Sequence, residues 1–152
     1  MGWFYGFKLH LITNFKGEIV AAQLTTGNVH DTKPVADLAE GLNGKIYANK
    51  GDISKKLKAD LNDKGVDWVT NVRNNMKAKA LSLWDKAMLS RRFIIETIND
   101  QLKNISQIDH SRHRSSHRFM LNLIGGRVAY CLKENKPTLN IKDLEINSMV
   151  KA

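Results

Sequence analysis

Cysteine is nearly absent from this chain of 152 residues, Cys131 being the only one. A lone thiol builds no disulfide framework and cannot supply the several thiolates of a structural zinc site. Long apolar runs are missing too. No stretch reaches the roughly 18 consecutive apolar residues that read as a membrane-spanning helix. The N-terminus has no basic segment followed by an apolar one, so no secretory signal is expected. A reducing cytoplasm is the expected setting, without a membrane partner. Internal repeats and low-complexity tracts are also absent. Acidic residues are scarce: 15 Asp and Glu stand against 24 Lys and Arg, a net charge of +9. That excess points to an anionic partner, nucleic acid first. With 42% hydrophobic and 26% charged residues, the composition is globular rather than disordered. The length fits one domain with a short tail.

The order of elements can be read from pattern. Residues 3–12, rich in aromatic and other apolar side chains, predict a strand. Asn14-Phe15-Lys16-Gly17 supplies a turn, and residues 18–25 return as a second strand, a β-hairpin. Thr26-Gly27-Asn28 and Pro34 mark a loop, and the apolar spacing at 35, 38, 39 and 42 predicts a short helix. Residues 45–48 read as a short strand ended by Gly51. Ser54 caps a helix that runs to Asp63 and stops at Gly65. Residues 66–72 are another strand. Helices are predicted over 91–105 and 119–132, with Gly125-Gly126 as a close-packing point or kink, and the stretch after Pro137 is peripheral. The order β-β-α-β-α-β-α-α implies a mixed α/β sheet flanked by helices.

Residues 71–118 hold ten Lys or Arg and four acids, so two thirds of the net charge sits in under a third of the chain. At 100° per residue, Arg92, Glu96, Asn99, Asp100 and Lys103 share a wedge roughly 100° wide. Ile94, Ile95, Ile98, Leu102 and Ile105 lie on the other side. Two readings are open. One is a solvated helix face with ion pairs one turn apart. The other is a metal-binding carboxylate flanked by cations that hold a phosphate backbone. The residues alone do not separate them.

Other positions read more plainly. His10 shares a strand face with Lys8 and reads as a surface or edge histidine. His110, His113 and His117 have spacings that could imitate a metal site. The arginines around them favour a DNA-facing basic segment instead. Cys131 reads as a core thiol on an apolar helix, and Trp68 and Trp84 as packing residues. Arg73, Lys77 and Lys79 flank a loop that either holds phosphate or is simply solvated.

Three blocks then carry a resemblance. They are Gly2-Trp3-Phe4-Tyr5-Gly6-Phe7-Lys8-Leu9-His10, Thr26-Gly27-Asn28-Val29-His30-Asp31-Thr32-Lys33-Pro34, and Ile94-Ile95-Glu96-Thr97-Ile98-Asn99-Asp100-Gln101-Leu102-Lys103-Asn104-Ile105. In this order they resemble bacterial insertion-sequence transposases with a DDE catalytic domain, specifically insertion-sequence family nine hundred and eighty-two, over residues 2–139. The resemblance implies a ribonuclease-H-like fold and DNA strand transfer at the ends of a mobile element. Three carboxylates would hold two divalent metals, Mg²⁺ or Mn²⁺. Glu96 matches the third carboxylate. Arg92 and Lys103 match flanking cations that contact phosphate, and Arg112-His113-Arg114 resembles the basic segment that follows.

Two departures shape the expectation. The first carboxylate of the family lies on a central strand upstream of the Trp3 block and has no counterpart here. The second sits in a Gly-Asp-Lys-Gly context, where this chain has Ala48-Asn49-Lys50-Gly51-Asp52. Asn49 keeps an oxygen and loses the charge. Asp52 would point to the opposite strand face, Asp100 could only support Glu96 from one turn away, and Asp31 reads as a loop or capping residue. The expected product is therefore a truncated DDE domain over residues 1–135 with a tail at 136–152, its sheet lacking the first strand. It would be catalytically inactive and bind no metal productively. A non-catalytic DNA-binding remnant, working through its basic face and able to meet an intact transposase, is the other functional expectation.

Overall fold

The structure, a computed structural model, describes residues 6–48, 54–71, 81–91, 93–105, 108 and 115–139. The elements run β1 (Phe7–Thr13), β2 (Ile19–Thr26), α1 (Val35–Leu38), β3 (Gly44–Ala48), α2 (Lys55–Asp63), β4 (Val66–Thr70), α3 (Leu83–Ser90) and α4 (Phe93–Asp100). A π-helical segment (Gln101–Ile105) and α5 (Ser116–Leu132) follow. The chain is thus a mixed α/β protein. Its described strands form two two-stranded sheets, β1 with β2 and β3 with β4.

Asn14 organises the hairpin turn. Its Oδ1 accepts the backbone N–H groups of Lys16 and Glu18, both at 3.0 Å, which is how an Asn side chain stands in for a turn of backbone. Across the strands, His10 Nε2 lies 2.8 Å from Thr25 Oγ1. β3 and β4 pair in parallel, Gly44 beside Val66 through Ala48 beside Thr70. Parallel strands need a crossover, and α2 provides it. The sequence marks both ends of that helix. Ser54 Oγ accepts the Leu57 N–H at 3.1 Å, and Gly65 follows with a φ of +80°, a conformation that L side chains rarely adopt.

The described residues fall into two compact units. In the first (6–12, 20–48, 54–71 and 81–91), Val35, Ala39, Leu61 and Val66 form the core, with Leu42, Ile46, Leu57 and Trp68 packed against it. In the second (13–19, 93–105, 108 and 115–139), Ile94, Ile98, Leu102, Ile108, Leu123 and Tyr130 are buried. Here α5 packs on the π-helical segment, and Leu139 N–H donates to Phe15 O at 2.9 Å.

Three expectations need correction. The sequence predicts no helix over residues 83–90, yet α3 is there, capped by Ser82 Oγ, which accepts the Asp85 N–H at 3.0 Å. Ile105 is expected on the apolar face but is 70% exposed. The π-helical turns advance each residue by less than 100°, which rotates position 105 on the order of 50° out of the buried stripe. Cys131 is exposed rather than a core thiol, because α5 turns Leu123, Gly126 and Tyr130 inward and leaves its other face outside.

Candidate active site

Glu96 lies in the first turn of α4. Ile94 and Ile98 bury one stripe of this helix, and Leu102 continues it, so Glu96, Thr97, Asn99 and Asp100 are exposed. Among the described residues Glu96 has no ion-pair partner. Asp100 is engaged locally, its Oδ1 accepting from Asn104 Nδ2. Lys103 is exposed and sits in the π-helical segment. That segment swings Lys103, by a smaller angle than Ile105, away from the line through Glu96 that an unbroken α-helix would give. Gln101 Oε1, at the start of the segment, accepts from Lys133 Nζ at 2.9 Å.

Of the other residues expected at the site, Asn49, Arg92, Arg112, His113 and Arg114 lie outside the described residues, as do Asp52, Arg73, Lys77, Lys79, His110 and residues 2–5 of the first block. His117 is exposed at the start of α5. Asp31 takes the structural part expected of it: Lys8 Nζ bridges Asp31 Oδ1 at 3.2 Å and Val29 O at 3.0 Å, holding the loop after β2 to β1.

The Thr26 and Glu96 blocks thus stand on a mixed α/β frame. A family model described as the transposase DDE domain matches residues 1–116. The chain belongs to the transposase DDE domain family. No curated protein and no solved structure matches it. Membership implies DNA as the partner and divalent metals as the usual cofactors of the family. Within the described residues of this DDE domain no helix is long and apolar enough to cross a membrane.

A two-metal centre needs several hard oxygen donors converging on one place. No three His, Cys, Asp or Glu side chains do so among the described residues of the DDE domain. Among the described residues Glu96 stands alone, and one carboxylate does not make a two-metal cage.

The DDE domain also contains an acid whose environment is not evident from residue type. Asp85 on α3 is only 7% exposed. Its Oδ1 accepts from Lys45 Nζ at 2.9 Å and from the Tyr47 hydroxyl at 2.8 Å, and its Oδ2 accepts from Lys45 at 3.0 Å. Burial alone would raise its pKa. Hydrogen bonds from Lys45, Tyr47 and Ser82, with the charge of Lys45, outweigh burial and hold it below the usual carboxylate value. Burial, then the hydrogen bond to Asp85, pushes the Tyr47 hydroxyl up. With both oxygens occupied, Asp85 pins α3 to β3 rather than offering a ligand site. Two signals mark it in the sequence: Ser82 three residues before Asp85, the spacing of a capping box, and the shared face of Lys45 and Tyr47 on one strand.

Proposed function

We propose that this chain is part of a DDE transposase of insertion-sequence family nine hundred and eighty-two, with a ribonuclease-H-like frame, and that Glu96 occupies the third carboxylate position. The observation that carries this reading is the exposed carboxylate of Glu96 on a helix whose opposite stripe is buried, inside a matched DDE region. The π-helical segment that begins five residues later adds support, since such distortions recur at functional sites.

In this reading Arg92 and Lys103 grip phosphates on either side of Glu96, and Arg112, His113 and Arg114 extend the grip along the duplex. Mg²⁺ or Mn²⁺ would supply nucleophile activation and leaving-group stabilisation in an intact enzyme. Asn49, at the second position, brings an amide oxygen without charge, so Glu96 is the one family carboxylate matched within residues 1–152. These residues by themselves do not cleave or join DNA. They bind it, and an intact transposase is the protein partner this role allows.

The test is anisotropy of labelled duplex carrying insertion-sequence ends, titrated between 50 and 200 mM salt. Counterion release from Arg92, Lys103, Arg112 and Arg114 gives a log–log slope of about −3.6. Loss of binding even at low salt would contradict DNA binding. Nicking of the duplex by the purified chain with Mg²⁺ or Mn²⁺ would contradict the inactive reading.

A further inference from the structure

Within its own unit, and among the described residues, α5 is packed on one side only. Leu123, Gly126 and Tyr130 turn inward. On the outside, Leu121 is 70% and Leu132 78% exposed, and Met120, Ile124 and Val128 are each 41–51% exposed. Leu121, Gly125, Val128 and Leu132 follow one another at spacings of four, three and four, a single stripe along roughly 17 Å of a 17-residue helix. Gly125 lies in the middle of that stripe, and a Cβ added there would meet no atom within 4 Å. The helix backbone is therefore bare at the centre of an apolar face.

From this geometry we infer that α5 pairs with α5 of a second copy of the chain, antiparallel, crossing at Gly125. Charge decides between occupants. Between Met120 and Leu132 the sole ionised side chain is Arg127, half-buried and about 100° or more around the helix from every residue of the stripe. A face this neutral gives nothing for a nucleic acid or a charged peptide to hold. An interfacial membrane helix would need cations along its border, and they are missing as well. A second copy brings an equally neutral, equally apolar stripe.

The ends select the direction. Arg118, near the start of α5, and Glu134, just past its end, are both exposed. Glu134 is the sole acid in residues 115–139. In a parallel pair Arg118 would stand against Arg118. In an antiparallel pair centred on Gly125, residue 118 of one copy lies opposite residue 132 of the other, within reach of Glu134, and symmetry makes this contact twice. The exposed side chains of the stripe offer on the order of 500 Å² per copy, or about 1,000 Å² for the pair, the size at which a specific interface becomes tenable. The inference does not depend on whether Glu96 ever holds a metal.

Sedimentation equilibrium of the full chain without DNA tests it. The expected species at micromolar concentration has twice the 17.2 kDa chain mass. Leu121→Glu should weaken self-association about tenfold or more, while circular dichroism and the melting transition stay near wild type, because the side chain points outward. In a Cys131→Ser background, Gly125→Cys should form a disulfide-linked dimer and Leu132→Cys should not. Three results would overturn the proposal. One is a monomer at every concentration up to 100 μM, including a monomer that takes up some other apolar ligand on this face. Another is a dimer that Leu121→Glu leaves intact while the variant is folded. The third is equal cross-linking at positions 125 and 132.

Discussion

The Tyr130 hydroxyl donates to the Gly17 carbonyl at 2.7 Å, a buried hydrogen bond between residues 113 positions apart. It joins the end of α5 to the hairpin turn. Gly17 has a φ of +74°, and a Cβ there would come 2.1 Å from Pro137 O.

Two substitutions should therefore separate in size. Tyr130→Phe removes one donor and leaves a buried carbonyl without it, at a cost of about 1–2 kcal/mol. Gly17→Ala meets both the backbone conformation and the Pro137 carbonyl, so it should cost about 2–4 kcal/mol. Urea denaturation of the two variants checks the order. A smaller loss for Gly17→Ala than for Tyr130→Phe would show that the turn relaxes freely around Pro137.

Asp85 should make the protein acid-sensitive. Its folded pKa lies below the usual carboxylate value, so its contribution is present above that value and is lost as pH falls through the lower folded value. Asp85→Asn should cost about 1–3 kcal/mol at neutral pH, since Lys45 and Tyr47 lose their charged acceptor. It should also flatten the stability curve below about pH 4. Melting curves from pH 3 to 7 measure both effects.

His10 should act in a different window. Burial lowers its pKa from 6.5, with Lys8 adding to the fall and Asp31 opposing it. The folded state therefore favours the neutral ring, and stability should decline as pH drops below 6.5 towards the lower folded value. His10→Gln keeps a hydrogen-bonding partner for Thr25 and should remove that part of the decline. An NMR titration placing the His10 midpoint at or above 6.5 would contradict the assignment.

Much of the frame was legible because local signals agreed with one another. Asn14 and Gly17 announced the turn, Ser54 and Gly65 bracketed α2, and the Ile94, Ile98 and Leu102 spacing identified the buried stripe that leaves Glu96 outside. Other features depended on tertiary context. The α3 helix follows a run of cations and asparagines that reads as loop, and its cap is visible only if Ser82 and Asp85 are read together. The burial of Asp85 depends on Lys45, forty residues away. Ile105 faces solvent because of a π-helical segment that no residue pattern announces. Cys131 is exposed because one side of α5 is left uncovered.

The most direct test of Glu96 as a member of a metal-binding acid set is a double-mutant cycle on Mn²⁺ binding, followed by electron paramagnetic resonance on the full chain. Restoring the charge with Asn49→Asp should raise Mn²⁺ affinity about tenfold, and Glu96→Gln in the same chain should abolish the gain, because the two side chains would share one ion. An affinity unchanged by Asn49→Asp, or a gain that survives Glu96→Gln, would show that positions 49 and 96 do not serve a common site.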